Sequence, residues 1–337
     1  MMAIDLRSDT VTKPSDGMRN AMVKADVGDD VYGEDPTINQ LEEAAADLLQ
    51  MESALFCASG TQSNLLALLC HCKRGEEYIV GQQAHTYQYE GGGAAALGSI
   101  HPQPLNFEHD GTLDLDKVLN LIKPDDFHFP QTRLLCLENT RGGRVLPISY
   151  LDSARKFVDT NNLNMHLDGA RIFNAAVDLN IHASKISHYF DSVSFCLSKG
   201  LGAPVGSILC GTTDVIKKAR RWRKTLGGGM RQAGLLAAAG LYALENNIER
   251  LSEDHANAKL LADGLNEIKQ LNIRSDDVNT NIIFLELDNV NQEELRTYLK
   301  SKGILIQGRN KIRLVTHLDI SKKDIAITLK AFKNFFN

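Results

Sequence analysis

The sequence predicts an α/β fold: a mainly parallel sheet covered on both faces by helices, followed by a smaller α+β unit. Three observations carry this. Short apolar, β-rich runs alternate with helical stretches through the first 245 residues, the pattern of strand–helix–strand crossovers. Several runs, "SFCLS" among them, are apolar at nearly successive positions, as strands buried on both faces are. The length, 337 residues, exceeds what one simple core fills. The expected division is 1–245, an N-terminal arm with the large domain, and 246–337, the small one.

In chain order, residues 1–35 read as loop, rich in Asp, Gly and Pro. Asp35 and Pro36 open a helix with Leu41, Leu48 and Leu49 on one stripe. "SALFCAS" is a short buried strand, "GTQSNLLALLCHC" a turn into a helix, and "EEYIVG" a strand. Further strands fall at 133–138, 164–168, 191–198 and 206–211, with an amphipathic helix over 149–162. After the glycine run "LGGGMRQAG", one long helix is expected through "LLAAAGLYALENNIERLSEDHANAKLLADGL", with the domain boundary inside it. "NIIFLEL", "EELRTYLKSKG", "ILIQG" and "KIRLVTHL" make the short strands and helix of the tail.

The bulk numbers exclude some classes. With 37 Lys+Arg against 42 Asp+Glu the net charge is −5, which points away from nucleic acid or an anionic membrane as partner. The basic run "KKARRWRK" (217–224) reads mostly as the solvated face of a helix. No signal-peptide h-region opens the chain, and no run approaches the ~18 apolar residues of a membrane span. None of the six cysteines forms a CxxC pair, and Cys70-His71-Cys72 is too tight for zinc, so reduced thiols in a cytoplasmic protein and no metal site are expected.

Three stretches carry chemistry. "ASGTQSN" (58–64) places small residues where a strand passes into a helix, and exposed N–H groups there suit a phosphate. "HLDGARIF" (166–173) ends a strand at Asp168, where ligands of α/β sheets bind; Arg171 follows and can grip a carboxylate. Alternatively, Asp168 caps a helix and Arg171 is its ion-pair partner. Lys199, in "SFCLSKGLGAPVGSIL", ends another strand among small apolar residues, where an amine is deprotonated more readily and becomes a nucleophile. Together, a phosphate cradle, an anion and an amine are what pyridoxal phosphate needs. "GQQAHTYQYEGGG" adds His85 as a ring to stack on it.

The chain closely resembles the low-specificity L-threonine aldolases, in the β-eliminating lyase group. The resemblance spans nearly its whole length: "DLRSDTVTKP", "VGDDVYGEDPT", "GTQSNLLAL", "GQQAH", "LENT", "HLDGARIFNA", "CLSKGLGAPVGS", "RWRKTLGGGMRQAG" and "RLVTHLD". It implies the aspartate-aminotransferase-like (fold type I) architecture with a mainly parallel seven-stranded sheet and a small C-terminal α+β domain. It also implies pyridoxal 5'-phosphate as cofactor and a homotetramer, a dimer of dimers with active sites at subunit interfaces. The expected chemistry is cleavage of β-hydroxy-α-amino acids, L-threonine and L-allo-threonine among them.

By position, the resemblance makes Lys199 the Schiff-base lysine, Asp168 the partner of the pyridine nitrogen, and His85 the stacking ring. Gly60 and Thr61 hold the phosphate. Ser8, Arg171 and Arg313 form the carboxylate-binding set, and Tyr32, His128 and Tyr89 lie near the substrate hydroxyl. His85 and His128 are the candidate bases. Lys224 and Arg231 are expected to reach the site across the interface. One departure stands out: "ENTRGG" (138–143) puts Arg141 where many relatives carry histidine.

Overall fold

The computed structural model describes residues 3–273, 277–287, 291–308 and 311–336. Its centre is a seven-stranded sheet, in spatial order Ser53–Cys57, Ser207–Gly211, Ser192–Cys196, Asn164–Asp168, Thr132–Glu138, Glu77–Gly81 and His101–Leu105. Neighbours pair in parallel, except that Ser207–Gly211 runs antiparallel to both strands beside it. The strands Glu77–Gly81, Ser192–Cys196 and Ser207–Gly211 are buried at every position. That is why they read as unbroken apolar runs. The edge strand His101–Leu105, with Pro102 and Pro104, is absent from the sequence reading; proline is tolerated there because an edge needs fewer ladder donors.

Helices cover the sheet. Pro36–Leu49 begins where expected: Asp35 accepts from the N–H groups of Thr37 (3.1 Å) and Ile38 (3.0 Å), and Pro36 sits in the first turn. Gly60–His71 is capped by Ser59, and Ile148–Thr160 buries Leu151, Ala154 and Val158. The largest apolar cluster lies between Pro36–Leu49, Ile148–Thr160 and the sheet, while Gly60–His71 packs into two smaller ones.

Two expectations change. Residues 1–35 are not all loop: Asp16–Val23 is a helix capped by Ser15. It is only eight residues long with Met18 its one buried side chain, too little to leave a periodic signal. The single long helix is two, Gly234–Asn246 and Leu251–Asn266. Asn247 lies at the break and spends its side-chain amide on the carbonyl of Leu201, 2.7 Å away.

A second cluster gathers Ala258, Leu261 and Leu265 with the tail's strands and helices. Gln307–Gly308, Ile312–Val315, Ile282–Leu287 and Leu271–Asn272 form an antiparallel sheet in that order. The chain's beginning joins this cluster: Ile4–Asp5 pairs in parallel with Ile304–Leu305, and Leu6 donates to Leu305 and accepts from Val315, both at 2.9 Å.

Candidate active site

The strands Thr132–Glu138, Asn164–Asp168 and Ser192–Cys196 all deliver their carboxyl ends to one cavity of about 620 Å³. It is lined by His85, Tyr89, Asp168, Arg171, Lys199 and Arg313 of the sequence-predicted set, and closed on the other side by Ile282, Phe284 and Gln307 of the tail. A parallel sheet brings successive strand ends to one side, so residues about 30 positions apart in sequence meet here.

Asp168 is buried; its Oδ1 accepts the N–H of Ala170 at 3.2 Å. A ring nitrogen of His85 and carboxylate oxygens of Glu90 and Asp168 lie within 4.8 Å of one another. His85 Nδ1 is 2.8 Å from Glu90 Oε1, and the His85 backbone N–H donates to Glu138 at 2.8 Å. The bond to Glu90 raises the His85 pKa above its ordinary value, against burial and helped by the charge of Asp168. Burial pushes Glu90 and Glu138 up, and the nearby charge of Asp168 adds to both.

Arg171 lies where its first sequence reading needs it, at the cavity, and the structure corrects the second, since it is not the partner of Asp168. It lines the cavity, and its Nε and Nη2 hold the two oxygens of Asp9 at 2.8 and 2.7 Å. Its ion-pair partner is therefore Asp9, not Asp168. Burial would raise the Asp9 carboxyl, but the charge and bonds of Arg171, with Lys199 and Asn281, hold it well below the carboxylate range. Arg313 donates to the carbonyl of Arg7 at 3.4 Å and, among the described residues, has no carboxylate partner. Burial and the charge of Arg171 lower its pKa. Lys199 stands half-buried in a polar cavity, in reach of the charges of Asp9 and His85, rather than in the dry apolar place its neighbours in sequence suggest. Among the described residues its amine has neither hydrogen bond nor ion pair.

Other predicted residues lie elsewhere on this chain. Gly60 and Thr61 start the helix Gly60–His71, next to the cavity's strands rather than in its lining. A Cβ on Gly60 would stand 3.0 Å from Cys196 Sγ, so any larger residue would crowd the sheet there. Ser8 caps the short helix Asp9–Val11. His128 is exposed and paired with Asp126 at 2.6 Å. Tyr32, Lys224 and Arg231 form one surface patch: Arg231 pairs with Asp29 at 2.7 Å and lies over the Tyr32 ring, while Lys224 packs beside Gly229. In "KKARRWRK" the solvated-face reading fails for Arg223, which is buried and donates to Asp30 (2.6 Å) and to the carbonyl of Phe56 (2.7 Å).

The residues that sequence reasoning missed are Asp9, Glu90 and Glu138. Each sits in a quoted motif; Glu138 ends the strand expected over 133–138, so the strand-end signal could have found it, whereas nothing in the local spacing of Asp9 or Glu90 marks a buried carboxylate. Arg141, the departure from the family pattern, lines the cavity, stacks on Phe107 at 4.7 Å and stands 3.9 Å from Glu138.

Comparison with known proteins agrees with this geometry. The family model described as β-eliminating lyase matches residues 5–288. The low specificity L-threonine aldolase of Escherichia coli K12 is 56% identical over 323 residues, 96% of either chain. The structure of Leishmania major threonine aldolase shares the fold with a TM-score of 0.84 at 20% identity, covering 99% of this chain and 100% of that one. So does a structure of SPT with PLP, with a TM-score of 0.74 at 17% identity, covering 98% of this chain and 87% of that one. With its family model matching residues 5–288 and a relative 56% identical over 96% of its length, the chain belongs to the β-eliminating lyase family.

Proposed function

We propose that this protein is a low-specificity L-threonine aldolase, a carbon–carbon lyase dependent on pyridoxal phosphate. It splits L-threonine and L-allo-threonine into glycine and acetaldehyde, and related β-hydroxy-α-amino acids likewise. The observation that carries this reading is the uncommitted amine of Lys199, set in one cavity with the buried carboxylate of Asp168 and the ring of His85.

The donor set fits the cofactor. Lys199 would hold its aldehyde, Asp168 its pyridine nitrogen, and His85 its ring. The N–H groups of Gly60 and Thr61, in the first turn of a helix where no intrahelical acceptor exists, would hold its phosphate. Bound there, pyridoxal phosphate supplies an electron sink for the pair released when the Cα–Cβ bond breaks.

The chain's own residues do the rest. Arg313, with no carboxylate of its own, grips the substrate carboxylate; Arg171 adds positive charge beside it while Asp9 holds its fork still. Ser8 lies at the start of the same short helix as Asp9 and belongs to the same binding face. His85 takes the proton of the β-hydroxyl, since histidine titrates near neutral pH. Tyr89, 5.8 Å from the His85 ring, lines the same side. His128, Tyr32, Lys224 and Arg231 act on the site of a neighbouring subunit, in a cytoplasmic homotetramer. Their exposure on this chain supports that reading, as does Phe127, exposed beside His128. We also infer a division into large and small domains near residue 245. Among the described residues no helix is long and apolar enough to cross a membrane.

Incubating the protein and pyridoxal phosphate with each threonine diastereomer tests the function. Acetaldehyde and glycine in equal amounts are expected. Pyruvate and ammonia from serine, with no acetaldehyde from either diastereomer, would point instead to β-elimination.

A further inference from the structure

A line of polar groups crosses the core behind His85. Glu90 Oε1 lies 2.8 Å from His85 Nδ1 and 2.8 Å from Asn64 Nδ2. Asn64 Oδ1 is 3.2 Å from His166 Nε2. His166 Nδ1 is 2.8 Å from Ser192 Oγ, which is 2.7 Å from His71 Nε2. Glu90, Asn64, His166 and Ser192 are all buried. The helix Gly60–His71 supplies both Asn64 and His71, so one rigid element spans the line.

Chemistry gives each bond its direction. A carboxylate only accepts, so Asn64 turns its amide nitrogen to Glu90 and its oxygen to His166. That oxygen also only accepts, so the hydrogen of His166 is on Nε2. Burial keeps His166 neutral, its pKa pushed down to about 3; with its hydrogen on Nε2, Nδ1 accepts from the nearer Ser192 oxygen, the hydroxyl at 2.8 Å, the Ser192 carbonyl lying at 3.1 Å. The Ser192 oxygen accepts in turn from His71, whose pKa burial pushes down to about 4. Every donor therefore points toward Glu90. The charged groups around His85 are Glu90 on its own segment, Glu138 and Asp168 at two strand ends, and Lys199 beyond a third.

We propose that Glu90 is a positioning residue for His85, fixing its hydrogen on Nδ1 and leaving Nε2 as the bare nitrogen available to the cavity, and that the one-way chain from His71 keeps Glu90 charged and in place. The task this gives Nε2, accepting the β-hydroxyl proton, rests on the aldolase reading; the tautomer does not. Burial favours a protonated Glu90, and the two donors converging on Oε1 oppose it. Without them the balance moves toward a protonated Glu90, and the His85 ring loses its fixed acceptor.

Long-range ¹H–¹⁵N spectra of the full-length chain labelled in histidine, recorded with and without pyridoxal phosphate, read tautomers and titrations directly. The His85 signals are identified by their loss in His85→Asn. The expected result is hydrogen on Nδ1 of neutral His85 and on Nε2 of His166. In Glu90→Gln the proton affinity of His85 should fall at least about threefold, roughly half a unit in its midpoint, while His166 keeps its signals and reports an intact core. The acid limb of kcat/KM should move with that midpoint. Hydrogen on Nε2 of His85, hydrogen on Nδ1 of His166, or a His85 midpoint unmoved in a folded Glu90→Gln would each overturn the proposal. Should Glu90→Gln not fold, the wild-type tautomers decide alone. A protein that shows these tautomers yet turns over neither threonine diastereomer refutes the aldolase reading and leaves the positioning role standing.

Discussion

The residues that carry the site differ in how far the sequence displays them. Asp168, Arg171 and Lys199 each follow a strand, and His85 follows another, so one rule about strand ends finds them all. Glu138 ends a strand as well, so the same rule reaches it; Asp9 and Glu90 obey no such rule, and only the fold shows that they are buried against Arg171 and His85. Asp9 is the sharpest case. Asp9→Asn removes a charge from a buried, two-bonded pair and leaves Arg171 uncompensated, at a cost of about 3–5 kcal/mol. Urea unfolding measures that loss, and weakened binding of substrate carboxylate should accompany it as a raised KM. For Lys199→Ala the expectation is different: stability close to wild type, because the amine has no partner to lose, and no visible absorption band when pyridoxal phosphate is added. A band that persists after gel filtration would remove Lys199 from its assigned role.

Elements were legible where they are long or strongly patterned. The Asp35–Pro36 helix start and the buried strands fall within about two residues of their expected bounds. The short helix Asp16–Val23, the proline-bearing edge strand and the break at Asn247 did not show, because each depends on tertiary contacts: packing on the core, an edge position, a bond to Leu201. Asp35 shows how one side chain joins two elements. It caps Pro36–Leu49 through Thr37 and Ile38, and it accepts the N–H of Gly234 at 2.8 Å, at the start of Gly234–Asn246. Asp35→Ala leaves three buried donors unmet and should destabilise the protein by about 2 kcal/mol or more, read as a lower denaturant midpoint with an unchanged slope.

At the scale of the whole molecule, burial of titratable groups sets the response to acid. His71, His166 and His255 have pKa values pushed down to about 4, 3 and 4 by desolvation. The unfolded chain binds their protons near pH 6.5 and the folded one does not, so their stabilising effect is complete above that pH and is lost as pH falls toward 4. Glu42, Glu90 and Asp254 are raised by burial and work the other way, by smaller amounts. Stability should therefore fall steeply between about pH 6 and pH 4, with a slope of up to roughly 4 kcal/mol per pH unit for three protons. Denaturant midpoints across that range give the slope, and a flat profile would contradict the buried neutral histidines. The pairing of Ile4–Asp5 with Ile304–Leu305 has a consequence of another kind. Synthesis is vectorial, and Asp5 must wait for His317, 312 residues later, whose Nε2 meets its carbonyl at 2.7 Å. This segment thus leaves the ribosome long before its partners and is among the last to find its place, and the strand Ile304–Leu305 cannot be paired by the tail alone.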